Sequence, residues 1–259
     1  MEDKYKLIYS EAIKYLYSIK PRDIDLDKYF YVEEKEKTKN YISEMLFGSL
    51  QNYQSMPNVI GFDSKKEIFR KILFDFDCDK ILDRYKTYTE LLKVFETEFK
   101  LDSSGFERVN NSWVKYSKAV LSASKFMSQF KDANDFDQFV NCFTYNESTS
   151  AALPMLLSKE IYGLGFALGC DFLKELGYDQ YPKPDIHLID VFSELGLSDR
   201  DEYNCYKSII KMSMLVGETP YKVDKVFWLI CSGNYYLDGI IIDRKKKDFI
   251  DLIKTRNSK

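Results

Sequence analysis

The sequence predicts an all-α protein. Apolar residues recur at helical spacing through most of its 259 residues. No long run alternates apolar and polar positions as a half-buried strand would. Prolines and glycines fall between the periodic stretches, where helices begin and end. Two segments have strand-like content, VFWLICSG (226–233) and GIIID (239–243), but each is short and isolated.

Taken in order, Tyr5, Ile8, Ala12, Tyr15, Leu16 and Ile19 form one apolar stripe, and Pro21 ends that helix. DIDLDKYFYV (23–32) alternates locally and reads as a connector with a short extended stretch. A second helix starts within EKEKTKNYISEMLFGSLQ (34–51) and stops before Pro57. Helices follow over Ser64–Phe74, Cys78–Tyr85, Tyr88–Phe99 and Asn111–Phe130. Asp135–Phe143 is another, capped by Asn134 or Asp135. Pro154 is expected in the first turn of a helix running to Lys159, a position that tolerates a missing N–H.

Composition narrows the function classes. A chain that is 45% hydrophobic and 31% charged is an ordinary globular protein with a real core. No run of apolar residues is long enough to span a membrane. The charged N-terminus MEDKYKLIYSEAIKYL lacks a signal-peptide core, so the expected location is cytoplasmic. The five cysteines are scattered with no CxxC pair, which predicts reduced thiols and neither a metal site nor an iron–sulfur cluster. The single histidine, His187, excludes a site built on two. The 20 Tyr and 19 Phe accompany abundant Lys, Asn and Ile, as AT-rich coding would give, so they do not argue for base stacking. A net charge of −3 argues against a protein that coats nucleic acid indiscriminately. A local exception is Arg244 to Lys259, with seven basic residues against Asp248 and Asp251. That stretch is either a solvated last helix or a phosphate-contacting patch.

Chemistry concentrates past the middle of the chain. IYGLGFALGCDF (161–172) places Gly163 and Gly165 in a tight turn between two helices, where φ > 0 and close backbone approach are available. The free amides opening the second helix suit a phosphate. Gly169 lets the helices pack closely. The same pattern also fits a plain αα-hairpin. KPDIH (183–187) follows, and Asp185 stands 20 residues after Gly165. Pro184 disfavours helix at Lys183, so Asp185 falls at the cap or first turn of a new helix with the stripe Ile186, Ile189, Val191, Phe192 and Leu195. A capping role and a carboxylate aimed at a sugar–base bond are compatible.

These motifs resemble the helix-hairpin-helix (HhH-GPD) DNA glycosylases, the superfamily of endonuclease III and the mismatch adenine glycosylases. KVFWLICSG (225–233) is similar to a late family helix ending in glycine. EMLFGSLQNYQ (44–54) is similar to the early helix whose glutamine enters the duplex. The resemblance spans about residues 40 to 237. It implies a bilobed all-α fold, with residues 41–184 in one lobe and 1–40 with 185–259 in the other. It implies Asp185 as the catalytic carboxylate and Gly163 and Gly165 as the grip on double-stranded DNA. Gln51 or Gln54 would fill the vacated stack, and Lys183 and His187 would contact phosphate or support the site. His187 equally fits a first-turn histidine that only bonds backbone.

The departures from the family are specific. Bifunctional members carry a lysine two residues after the second hairpin glycine; here that position is Ala167. No cysteine follows Cys231, where the family's cluster ligands would lie, and Asp190 stands where the family often has a basic residue. The expectation is a monomeric, cofactor-free, monofunctional glycosylase hydrolysing the N-glycosidic bond of a damaged or modified base. Two alternatives stay open: a catalytically inactive helix-hairpin-helix DNA-binding protein, and an all-α interaction protein whose hairpin merely packs helices.

Overall fold

The computed structural model describes residues 2–32, 36–53, 56–108 and 110–257. The chain divides into two compact units: Met1–Glu34 with Leu173–Lys259, and Lys35–Phe172. The sequence reading divides it at 40/41 and 184/185. The second observed division falls instead within a helix, α10 (Phe166–Glu175). Gly169 and Phe172 of that helix pack on Pro154 and Phe136, whereas Lys174 pairs with Asp224.

The first unit is built on α1 (Glu2–Ile19), α11 (Ile186–Glu194), α12 (Glu202–Val216), α13 (Pro220–Ser232) and α14 (Lys246–Asn257). Glu2 and Asp3 open α1, where the helix dipole favours negative charge. Its stripe of Tyr5, Ile8, Ala12 and Leu16 is buried against α12 and α13, and the core continues through Val191, Phe192, Ile209, Phe227 and Phe249. Tyr5 shows how a buried phenol is accommodated: its hydroxyl donates to the Leu197 carbonyl at 2.8 Å. Thr219 caps α13 and Pro220 opens it, a pairing that wastes no donor.

VFWLICSG, strand-like in content, is helical as the all-α reading expects: its residues to Ser232 belong to α13 and Gly233 caps it. Two local expectations change in this unit. GIIID does hold a strand, β2 (Ile240–Ile241), paired antiparallel with β1 (Asn234–Tyr235). Gly233 makes this ribbon possible. Its φ is +65°, and a Cβ there would lie 2.3 Å from the Ile242 carbonyl oxygen. The connector at 23–32 is not extended. It forms a 3₁₀ turn over Asp27–Tyr29 because Tyr29 turns inward, donating to Asp238 Oδ2 at 2.5 Å and meeting the rings of Tyr235 and Tyr236 edge-on.

The second unit contains α2 (Lys39–Leu50), α3 (Pro57–Ile60), α4 (Lys66–Ile72), α5 (Cys78–Arg84), α6 (Tyr88–Phe99), α7 (Ser112–Ser128), α8 (Ala133–Asn141) and α9 (Glu147–Glu160). Helices α2, α5 and α6 all pack on α7. Phe62, Phe69, Phe95, Phe99, Trp113 and Tyr116 form a connected set of ring contacts beside it. Thr87 and Glu90 close a capping box on α6.

Two caps differ from the sequence reading. Asp132, not Asn134 or Asp135, caps α8: it accepts from Asp135 N at 3.0 Å, and Asp135 accepts from Lys131 N at 2.9 Å in return. Pro154 lies in the interior of α9 rather than its first turn. Asn146 starts that helix earlier, accepting from the backbone N–H groups of Ser148 and Thr149. An interior proline costs about 3 kcal/mol or more. Here its ring faces Gly169, where a Cβ would come 3.3 Å from Pro154 Cβ.

Candidate active site

The hairpin lies in the second unit. Helix α9 stops at Glu160, Ile161 and Leu164 are buried, and Leu164 N donates to the Ile161 carbonyl at 3.2 Å. Gly163 has φ +79°, so the turn requires glycine there. Gly165 does not have positive φ. Its carbonyl accepts the Gly169 N–H at 2.9 Å, so it stands where α10 opens. A Cβ on either glycine would meet no other atom within 4 Å, which leaves open space beside the first amides of the helix. Tyr162 N donates to Ser122 Oγ at 2.8 Å, pinning the hairpin to α7. In the same unit Gln51 is buried and its Oε1 accepts from Phe62 N at 2.8 Å, closing the loop after α2. Gln54 lies outside the described residues.

Asp185 lies in the first unit and caps α11. Oδ1 accepts from His187 N at 2.9 Å and Leu188 N at 3.2 Å. Oδ2 has no hydrogen-bond partner among the described residues. The residues before it are held by a group the sequence reading missed, Asp224 on α13. Asp224 Oδ2 accepts from Lys183 N at 2.8 Å and from Lys174 Nζ at 3.1 Å. This pair is almost fully enclosed, with Lys174 4% and Asp224 1% exposed. Beside it, Lys225 Nζ bonds the Tyr236 hydroxyl at 3.0 Å, pairs with Glu175 at 3.5 Å and lies over the rings of Tyr221, Trp228 and Tyr236. One signal did point to these residues. Asp224 and Lys225 interrupt the apolar run YKVDKVFWLIC, and charges inside a buried stripe need partners.

The electrostatics follow from this arrangement. Burial pushes the Asp185 carboxyl above its ordinary range, and the Asp224 carboxylate pushes it further, against the Leu188 amide, His187 and Lys183. His187 is held below the usual histidine value, first by burial and then by Lys246 and Arg244, against the carboxylates of Asp185 and Asp190. Its Nδ1 is buried without a hydrogen-bond partner among the described residues. Asp190 is bracketed by Lys246 at 2.5 Å and Arg200 at 2.6 Å. Much of the basic C-terminal stretch is tied down in the same way: Lys245 to Asp248, Lys254 to Glu194 and Arg256 to Glu11. These pairs favour a helix anchored by salt bridges over a free phosphate patch. Among the described residues no group of three or more His, Cys, Asp or Glu could hold a metal ion.

A carboxylate with one oxygen committed to the backbone and the other uncommitted is fixed in direction and can face a developing cation. Ala167, one residue into α10, offers no amine.

No family model and no curated protein matches the chain. Among solved structures, it is similar to the Methanocaldococcus jannaschii 8-oxoguanine glycosylase/lyase in complex with a 15mer DNA containing 8-oxoguanine. The two share 18% identity over 92% of this chain and 100% of that one, with a TM-score of 0.53. Identity at that level speaks to architecture alone. The chain is all-α and shares its fold with that glycosylase/lyase.

Proposed function

We propose that this protein is a monofunctional DNA glycosylase, acting as a monomer on a damaged or modified base in double-stranded DNA. The observation that carries the reading is Asp185: an N-capping carboxylate with Oδ2 uncommitted, 20 residues downstream of the hairpin's Gly165, in a fold shared with a glycosylase. The target nucleotide must leave the stack before its glycosidic bond can be reached. As the bond between C1′ and the base breaks, the sugar becomes an oxocarbenium ion. Asp185 stabilises that cation and orients the attacking water, much as carboxylates do in glycoside hydrolysis. Water adds to C1′, the departing base takes up a proton, and an abasic strand remains. Gly163 and Gly165 grip the backbone through the opening of α10, and Lys183 and His187 support Asp185 or contact phosphate.

The similar structure belongs to a glycosylase/lyase, but the lyase half finds no support in this chain. Strand cleavage through an imine needs an amine nucleophile. Ala167 occupies the expected position, and Lys174 further along α10 is enclosed with Asp224. The test is base release from a panel of duplexes, each carrying one damaged or modified base, by the wild-type chain and Asp185→Asn. Release by the wild type with none by the variant is the expected result. Duplex binding without release from any substrate would instead favour an inactive DNA-binding protein.

A further inference from the structure

Helix α7 carries no acidic residue in seventeen, although the chain as a whole has more acids than bases. Eleven of those residues are buried. The unburied ones include Lys115, Lys118, Ser122 and Lys125, spaced three, four and three apart, which puts them on one face. Elsewhere in the same unit, surface lysines meet carboxylates: Lys39 with Asp79, Lys66 with Glu44, Lys80 with Asp77. Among the described residues Lys118 and Lys125 meet none within 4.0 Å. Like charges lined up on one helix face destabilise it slightly, so folding alone does not account for the stripe.

The first three residues of the stripe reach the loop after Gln51 and the hairpin. Lys115 Nζ lies 5.4 Å from the Tyr53 ring, in the loop that follows α2 and Gln51. Lys118 Nζ lies 4.8 Å from the Tyr88 ring and 5.8 Å from the ring of Tyr162, a hairpin residue. Ser122 Oγ accepts the Tyr162 amide. Contact with the ring faces orders the long side chain of Lys118 without neutralising it. The result is a row of lysines that runs from the loop after Gln51 past the hairpin turn, all within one unit.

We propose that this face of α7 is a track for one phosphate strand of a DNA duplex, continuing the hairpin's grip toward the loop after α2. The proposal rests on the glycosylase reading for its choice of duplex DNA as the polyanion. Ten residues of helix from Lys115 to Lys125 span about 15 Å. A strand places a phosphate about every 3.4 Å along the duplex axis, so roughly four fall within that length. The lysines act here as point charges that set position and affinity, and they carry no base specificity.

The test is binding of a 5′-labelled duplex of about 20 base pairs over a series of KCl concentrations, since counterion release gives a slope of about −0.9 per neutralised phosphate. The full chain is compared with the double variant Lys118→Gln, Lys125→Gln, and with Lys80→Gln, which removes a paired lysine of the same unit. The double variant is expected to bind about tenfold more weakly at low salt, with a slope shallower by about two contacts. Lys80→Gln should leave both unchanged. Circular dichroism and melting check the fold, and Lys125→Gln alone, at an exposed position, serves if the double variant melts early. Wild-type binding with affinity and slope unaltered by the lysine variants overturns the track and leaves the glycosylase reading standing. No duplex binding at low salt, or binding only to anionic vesicles, overturns both. Lysine-dependent binding without release of any base keeps the track and removes the glycosylase reading.

Discussion

Asp185 has two tasks that pull its chemistry in different directions. As an N-cap it ties down two amides of α11. As a partly enclosed anion near Asp224 it is destabilised, and its carboxyl is raised above the ordinary aspartate range. A raised carboxyl means that the folded state holds the proton more tightly than the unfolded one. The associated stability is present below the ordinary aspartate pKa and is lost as pH rises through the folded-state value. Asparagine keeps the accepting oxygen and removes the charge. Asp185→Asn should therefore melt above the wild type at neutral pH, and the gap should close as the pH falls below the ordinary aspartate range. Asp185→Ala loses both capping bonds and should be less stable than Asp185→Asn by about 1 kcal/mol. Thermal unfolding across pH measures all three chains. An asparagine variant that melts below the wild type at neutral pH would show that the charge stabilises the fold at that position.

Two elements hold the site residues, and each makes a separable prediction. In the hairpin the glycines differ. Gly163→Ala should cost about 1 kcal/mol, because an L-residue is strained at its φ of +79°. Gly165→Leu should fold normally, since a Cβ there meets nothing within 4 Å, yet weaken duplex binding by filling the space a phosphate would use. Unchanged duplex binding by a folded Gly165→Leu chain would remove the hairpin as the contact. In the α10–α13 pair, Asp224→Ala removes the carboxylate that lies 3.1 Å from the buried Lys174 Nζ and that accepts the Lys183 amide. Breaking a buried pair from one side costs about 3–5 kcal/mol, while Lys174→Met with Asp224→Leu should recover much of that. Urea unfolding of the single and double variants reads the difference. Both elements also mark what the sequence does and does not disclose. The hairpin and the Asp185 cap were legible because glycine, proline and short-range spacing encode them locally. The partnership of Asp224 with Lys174 joins residues 50 positions apart, and no local pattern records which carboxylate a distant lysine will meet. Pro154 misled because its position in a helix depends on where the helix starts, and the Asn146–Thr149 box that sets the start is a weaker mark than proline.

For the whole molecule, periodicity was sufficient to give the helical class, because burying one face of each helix is what drives the chain to fold. The division into units was less legible, because α10 gives residues to both and carries no linker. The proposed reaction depends on one missing amine. The similar solved structure is that of a glycosylase/lyase, and a lyase breaks the strand through a covalent imine between a protein amine and C1′. This chain has Ala167 two residues past Gly165, and the next lysine on α10, Lys174, is enclosed with its Nζ 3.1 Å from Asp224. The expected outcome is base release that leaves full-length abasic strands, cleaved only after hot alkali. Borohydride added during turnover should trap no protein–DNA adduct, because no imine exists to be reduced. The reverse substitution sharpens the test. If Ala167 occupies the nucleophile's place, Ala167→Lys should produce a trappable adduct and some strand cleavage on a substrate whose base the wild type releases. Efficient trapping by the wild type would show that another amine does the work. Failure of Ala167→Lys to trap, with base release intact, would show that position 167 does not face the sugar.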